Sequence, residues 1–195
     1  QRQDRYRLKG TLSRLLAQPG NSVSASLFEE VARYHYDAIL HAPARLQDNR
    51  TYTLADQDGE LIAKSSQILE PLVEEAIDWV FGERLPKSVL EVGCGAGRYL
   101  HYMARRAPQL KLSAIDIQAS VVALARRNLQ TWGIAERVDL RHTDIFDVET
   151  PHRFDLVTLN NNIYYFDAER RGELLRTVRS LLKPSGRLLL TSSCQ

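Results

Sequence analysis

Between residues 88 and 192, short apolar runs alternate with stretches whose apolar residues recur at helical spacing. "SVLEVG" (88–93), "KLSAID" (111–116), "RVDLRHT" (137–143), "FDLVTL" (154–159) and "RLLLTS" (187–192) read as five strands. "GRYLHYMARR" (97–106), stopped by Pro108, reads as a helix. So does "ASVVALARRNLQTW" (119–132), with Gly133 placed to cap its end. "AERRGELLRTVRSLL" (168–182) is a third, closed by Pro184 and Gly186. Strands alternating with helices require a parallel sheet covered on both faces. Right-handed crossovers narrow this to a doubly wound α/β fold. The expected order is 3-2-1-4-5, with strand one beside strand four, where the order reverses and a ligand crevice opens. About ten residues join strands three and four, room for one short helix at most.

The first 87 residues follow another pattern. "SLFEEVARYHYDAIL" (26–40) and "SSQILEPLVEEAIDWVFG" (65–82) have helical periodicity, the second with Ser65 or Ser66 as its cap. The polar stretch 41–61 between them is expected to be turns, and 4–16 to be a short hairpin or wing. The division that follows is an N-terminal helical extension and linker at 1–64 and a core at 65–195.

Composition changes this picture little. Net charge is +2 over 195 residues, which argues against a dedicated nucleic-acid surface. No apolar run approaches the roughly 18 residues needed to span a membrane. The two cysteines, Cys94 and Cys194, match no metal or disulfide spacing, and reduced cytoplasmic thiols are the simplest reading.

The chemistry gathers at "LEVGCGAGRYL" (90–100). Gly93, Gly95 and Gly97 follow a strand and open a helix, the arrangement of an adenosine-cofactor turn. The bland alternative is a tight turn with no ligand. The dinucleotide fingerprint is G-x-G-x-x-G/A; here Arg98 stands where its third small residue would be. Glu91, two residues before the first glycine, would repel a pyrophosphate. It suits a ligand with positive charge and no phosphate, such as S-adenosyl-L-methionine. Asp116 ends the second strand and could hold a ribose or cap the next helix. Asp144 could meet an adenine or serve a turn. Cys94, between two glycines, reads as a small backbone-contact residue, not a nucleophile.

These motifs, taken in order, resemble the class I S-adenosylmethionine-dependent methyltransferases over roughly 88–192. "LEVGCGAGRY" resembles their first motif, and "AIDIQ", "HTDIF", "FDLVTLNNNIYYF" and "LLKPSGRLLL" the later ones. The resemblance implies S-adenosyl-L-methionine as cofactor and no metal. It implies that Glu91, Gly93, Cys94, Gly95 and Gly97 line the cofactor. Asp116 and Ile117 would then meet the ribose, Asp144 and Ile145 the adenine, and Asn160 the methionine part, unless Asn160 and Asn161 cap the loop. The family's helix and two strands after the fifth strand would lie beyond residue 195, which makes a fragment the expectation.

The helical extension resembles that of small-molecule O-methyltransferases with an N-terminal dimerisation region. It implies a small-molecule substrate, methylated at O or N, and a homodimer. That family's catalytic His has no counterpart in "NNIYYFDAE", where Tyr164 stands near its place. His35 and His41 are the remaining candidate bases, and Tyr164 and Tyr165 line a pocket or fill core. Amide methyltransferases carry Asn-Pro-Pro-aromatic at this point. The chain has Asn-Asn-Ile-Tyr, so glutamine methylation is not inferred. Protein or nucleic-acid methylation, or a non-catalytic binding subunit, are the competing readings.

Overall fold

The computed structural model describes residues 9–48 and 56–192. The chain divides into two compact units, 1–68 and 69–195.

In the first unit, the described helices are α1 (Thr11–Leu16), α2 (Ser22–Glu30), α3 (Tyr36–Gln47) and α4 (Gly59–Ser65). A π-helical stretch, Val31–His35, joins α2 to α3 without a break. Three expectations change here. Thr11–Leu16 is helix, not hairpin; the remaining residues of that stretch, up to residue 8, lie outside the described ones. The stretch expected to be turns, 41–61, is helical up to Gln47 despite Pro43, because Ala42, Ala44, Arg45, Leu46 and Gln47 are strong helix formers, and it is helical again from Gly59; its residues 49–55 lie outside the described ones. Ser65 is not a cap but the last residue of α4, whose cap is Asp58. The Asp58 carboxylate accepts the amides of Glu60 and Leu61 at 3.0 and 3.1 Å. Ser65 is buried and donates to Glu30, the residue that ends α2.

The second unit begins with α5 (Glu70–Glu83), whose Val73, Ile77, Val80 and Phe81 form one buried stripe. It continues as β1 (Ser88–Val92), α6 (Arg98–Arg106), β2 (Lys111–Asp116), α7 (Ala119–Thr131), β3 (Val138–His142), β4 (Phe154–Asn160), α8 (Ala168–Leu181) and β5 (Leu182–Thr191). The sheet is parallel, in the order β3-β2-β1-β4-β5. Only a 3-10 turn, Ile145–Asp147, occupies the short link between β3 and β4. The central strands are buried on both sides, as parallel strands must be. Val89, Leu112, Leu156 and Leu189 pack with α5, α6 and α7, while Leu90, Val92, Ile115, Val157 and Leu159 pack with α8.

The last strand departs from its expected form. Pro184 and Gly186 do not close α8; they lie within β5, which starts at Leu182. The pairing runs Phe154 with Leu182 and then jumps to Leu156 with Arg187. Gly186 permits this bulge: a Cβ there would stand 2.8 Å from the Phe154 carbonyl oxygen.

At the amino end of β4, Asp155 ties three segments together. Its carboxylate accepts the amides of Lys87 and Ser88 at 3.1 and 3.0 Å and meets Lys183 Nζ at 2.9 Å. Among the described residues, no helix is long and apolar enough to cross a membrane.

Candidate functional site

The carboxyl ends of β1, β2 and β4 meet where the strand order reverses. Between β1 and α6 the backbone turns through Gly93, Gly95 and Gly97, with φ of 69°, 53° and 78°. These are left-handed values that side chains disfavour. Gly93 has a second constraint. A Cβ there would lie 2.7 Å from Asn162 Nδ2, which donates to the Val92 carbonyl. The glycine is thus required by the fold itself, because the loop after β4 crosses directly over it.

The turn is held from all sides. The amides of Gly93 and Cys94 donate to Ile115 O at 2.9 and 3.1 Å, and that of Gly97 to Cys94 O at 2.9 Å. Asn128 of α7 donates to Ala96 O at 2.9 Å. The Gly95 amide donates to Asp116 Oδ2 at 3.1 Å. With these amides already paired, the turn is not an open nest for a phosphate.

Asp116 therefore joins the tip of β2 to the glycine turn. Its Oδ1 accepts the Gln118 amide at 3.0 Å, one residue before α7 begins. Burial pushes its carboxyl up, and the amides of Gln118 and Gly95 pull it back. Each carboxylate oxygen has one further lone pair for a ligand hydroxyl. His142, paired with Asp116 across β2 and β3, has Nε2 at 3.0 Å from Ile117 O. Ile117 is exposed at this tip and Ile145 is buried in the α8-side core. Asp144 accepts the Phe146 amide at 3.1 Å and so caps the 3-10 turn, which is the work of a turn residue.

Glu91 lies on the α5–α6 face of β1, with 1% of its surface exposed. Neither carboxylate oxygen has a hydrogen-bond donor. Burial pushes its carboxyl up to about 8; the side chain of Asn160 lowers it and the Asp116 charge raises it. Asn160 Nδ2 completes no hydrogen bond either, while Asn160 Oδ1 accepts from Thr191 Oγ1 at 3.1 Å. Thr158, the register partner of Glu91 on β4, is fully buried with its hydroxyl unpaired. Cys94 is buried beside them. Burial, then the charges of Glu91 and Asp116, push its thiol well up, so it is not a nucleophile at neutral pH.

The three asparagines after β4 have three separate roles. Asn160 faces Glu91. Asn161 takes a left-handed φ of 52° and donates its amide to Thr191 O at 2.9 Å. Asn162 clamps the glycine turn. Beyond them Tyr164 and Tyr165 are exposed, their rings 4.6 Å apart. His35 and His41 belong to the first unit. His35 Nε2 stands 3.5 Å from Glu30, and His41 Nδ1 stands 3.0 Å from Asp37.

A family profile described as "Methyltransferase domain" matches residues 89–186. The chain belongs to the methyltransferase domain family. One relative, the release factor glutamine methyltransferase of Rhodopirellula baltica, is 33% identical over 142 residues, covering 71% of this chain and 47% of the relative. An O-methyltransferase family protein of Burkholderia thailandensis superposes with a TM-score of 0.74 at 22% identity, over 93% of this chain and 57% of that one. A glycopeptide N-methyltransferase solved with (S)-adenosyl-L-methionine gives a TM-score of 0.53 at 26% identity, over 60% of this chain and 52% of that one. The methyltransferase chain described here thus spans about half the length of these relatives.

Proposed function

We propose that the chain carries the cofactor core of an S-adenosyl-L-methionine-dependent methyltransferase acting on a small molecule at O or N. The observation that carries this reading is the left-handed glycine turn, closed by the Asp116 carboxylate and backed by the buried, unpaired Glu91. The amides of Gly93, Cys94, Gly95 and Gly97 are already paired, so the turn does not offer the anion nest a dinucleotide pyrophosphate needs. Two carboxylates in its place favour a cation.

Gly93, Cys94, Gly95 and Gly97 would contact the cofactor through backbone, Asp116 and Ile117 its ribose, Asp144 and Ile145 its adenine, and Glu91 and Asn160 its methionine part. When bound, the cofactor supplies a methyl group on a sulfonium, ready for in-line displacement. The protein's contribution is alignment, worth up to ~7–11 kcal/mol in well-oriented intramolecular reactions. A hydroxyl acceptor also needs a base; His35, His41 and Tyr164 are the candidates. The exposed Ile39 and Leu46 of the first unit support a homodimer through the N-terminal helices. The unpaired thiol of Cys94 supports a reducing, cytoplasmic setting.

The test is methyl transfer by the full-length protein from methyl-labelled S-adenosyl-L-methionine into a metabolite extract. A small product heavier by one methyl is expected. The glutamine methyltransferase relative motivates a parallel arm with release factors, and another contains tRNA. Label in either macromolecule, and none in the extract, overturns the small-molecule reading. Tight binding of a nicotinamide dinucleotide overturns the cofactor.

A further inference from the structure

Glu91, Thr158 and Asn160 lie on one face of neighbouring strands, all at least nine-tenths buried. Both oxygens of Glu91, Oγ1 of Thr158 and Nδ2 of Asn160 lack partners. Such a set does not tolerate an ionised carboxylate. A buried charge without a counter-ion is costly even beside neutral donors such as Thr158 and Asn160, and the group neutralises instead. A proton on Glu91 removes the charge.

Among the described residues, the surroundings supply no cation to replace that proton. On β2 stands Asp116, and in the glycine turn the buried Cys94. On α6 stands Tyr99, whose phenol is pushed up first by burial, then by Glu91 and by Glu70 and Glu74 of α5. Arg98 offsets part of this at Tyr99, but it is paired with Glu70. Thr158 and Asn160 of β4 are neutral. A positive charge must therefore come from a ligand.

We propose that Glu91, with Thr158 and Asn160 beside it, is a proton-exchange site under the glycine turn: it holds one proton when the turn is empty and releases it when a cationic ligand binds. The proposal rests on the cofactor reading above and extends it to regulation, since ligand capture becomes pH-dependent. The exchange balances: protonated Glu91 and cationic ligand give carboxylate, bound cation and one free proton. Because the free site loses its proton near pH 8, affinity rises with pH up to about 8, by up to about tenfold per unit.

The experiment is calorimetric titration of S-adenosyl-L-methionine into the full-length protein, in buffers of different ionisation enthalpy, from about pH 6 to 8. The slope of apparent enthalpy against buffer enthalpy counts protons. Release approaching one proton per ligand near pH 6.5 is expected, falling away towards pH 8. In Glu91→Gln the release disappears and the affinity loses its slope, while titration of the ligand's own groups stays common to both proteins. Binding without proton release in the parent, or equal release in parent and Glu91→Gln, overturns the proposal and leaves the cofactor reading standing. No binding at any pH overturns both. If Glu91→Gln does not fold, the buffer series on the parent decides.

Discussion

Replacing Gly93 by alanine tests whether the glycine turn is shaped by the fold. Two costs are visible. An alanine at φ of 69° is in the left-handed region, worth about 1–2 kcal/mol. Its Cβ would also stand 2.7 Å from Asn162 Nδ2. The amide must move, which breaks its bond to the Val92 carbonyl and leaves a buried acceptor unpaired, about 1–3 kcal/mol. Gly93→Ala should therefore cost about 2–5 kcal/mol in total. Asn162→Ala removes the clashing group and the same hydrogen bond, and alone should cost about 1–3 kcal/mol. Having lost that bond already, Gly93→Ala should lose little more when Asn162→Ala is added. The double mutant should resemble Gly93→Ala, so the coupling energy should match the Asn162→Ala cost in size, about 1–3 kcal/mol. Urea unfolding followed by tryptophan fluorescence measures this directly, since Trp79 and Trp132 both lie in the second unit. Strictly additive single-mutant costs would refute the clash. A Gly93→Ala protein as stable as the parent would refute the backbone argument as well.

Three further outcomes follow from other parts of the structure. Asp116→Ala should weaken S-adenosyl-L-methionine binding about ten- to a hundredfold in calorimetry, from loss of charge-assisted bonds worth about 1.5–3 kcal/mol. It should also lower stability by about 1–2 kcal/mol, since the Gly95 and Gln118 amides lose their acceptor, with Asp116→Asn milder in both respects. Glu91 holds its proton to about pH 8 in the folded protein and only to about 4.5 when unfolded, so stability should fall as pH rises between these values. The slope is at most about 1.4 kcal/mol per pH unit, and urea midpoints of Glu91→Gln should lack it. Asp155 differs in sign: burial pushes its carboxyl up, but Lys183 and Ser88 outweigh this and hold it low. Asp155→Ala should cost about 2 kcal/mol in urea unfolding, yet leave cofactor affinity unchanged, because Asp155 lies at the amino end of β4, away from the glycine turn.

The sequence by itself determined the layered α/β unit. Its five strands and the helices α6, α7 and α8 follow from apolar periodicity, and right-handed crossovers limit them to a doubly wound sheet; the order β3-β2-β1-β4-β5 was expected because a crevice beside the glycine turn needs strand one next to strand four. Glu91, the three glycines and Asp116 were legible as a group because a strand, a turn and a helix start place them at known positions in the chain. What lay beyond reach was pairing between distant segments. Asn162 folds back over Gly93 across 69 positions, Thr158 meets Glu91 through strand register, and His142 flanks Asp116 only because β3 lies beside β2. The bulge at Gly186 and the helical course through Pro43 were hidden for a related reason: proline and glycine mark a change of backbone direction, and neighbours decide whether it is a turn, a bulge or continued helix. Protonation belongs to the same class. A glutamate in a sequence is a charge, and only its burial among unpaired groups, a property of the packed sheet, turns it into a neutral acid.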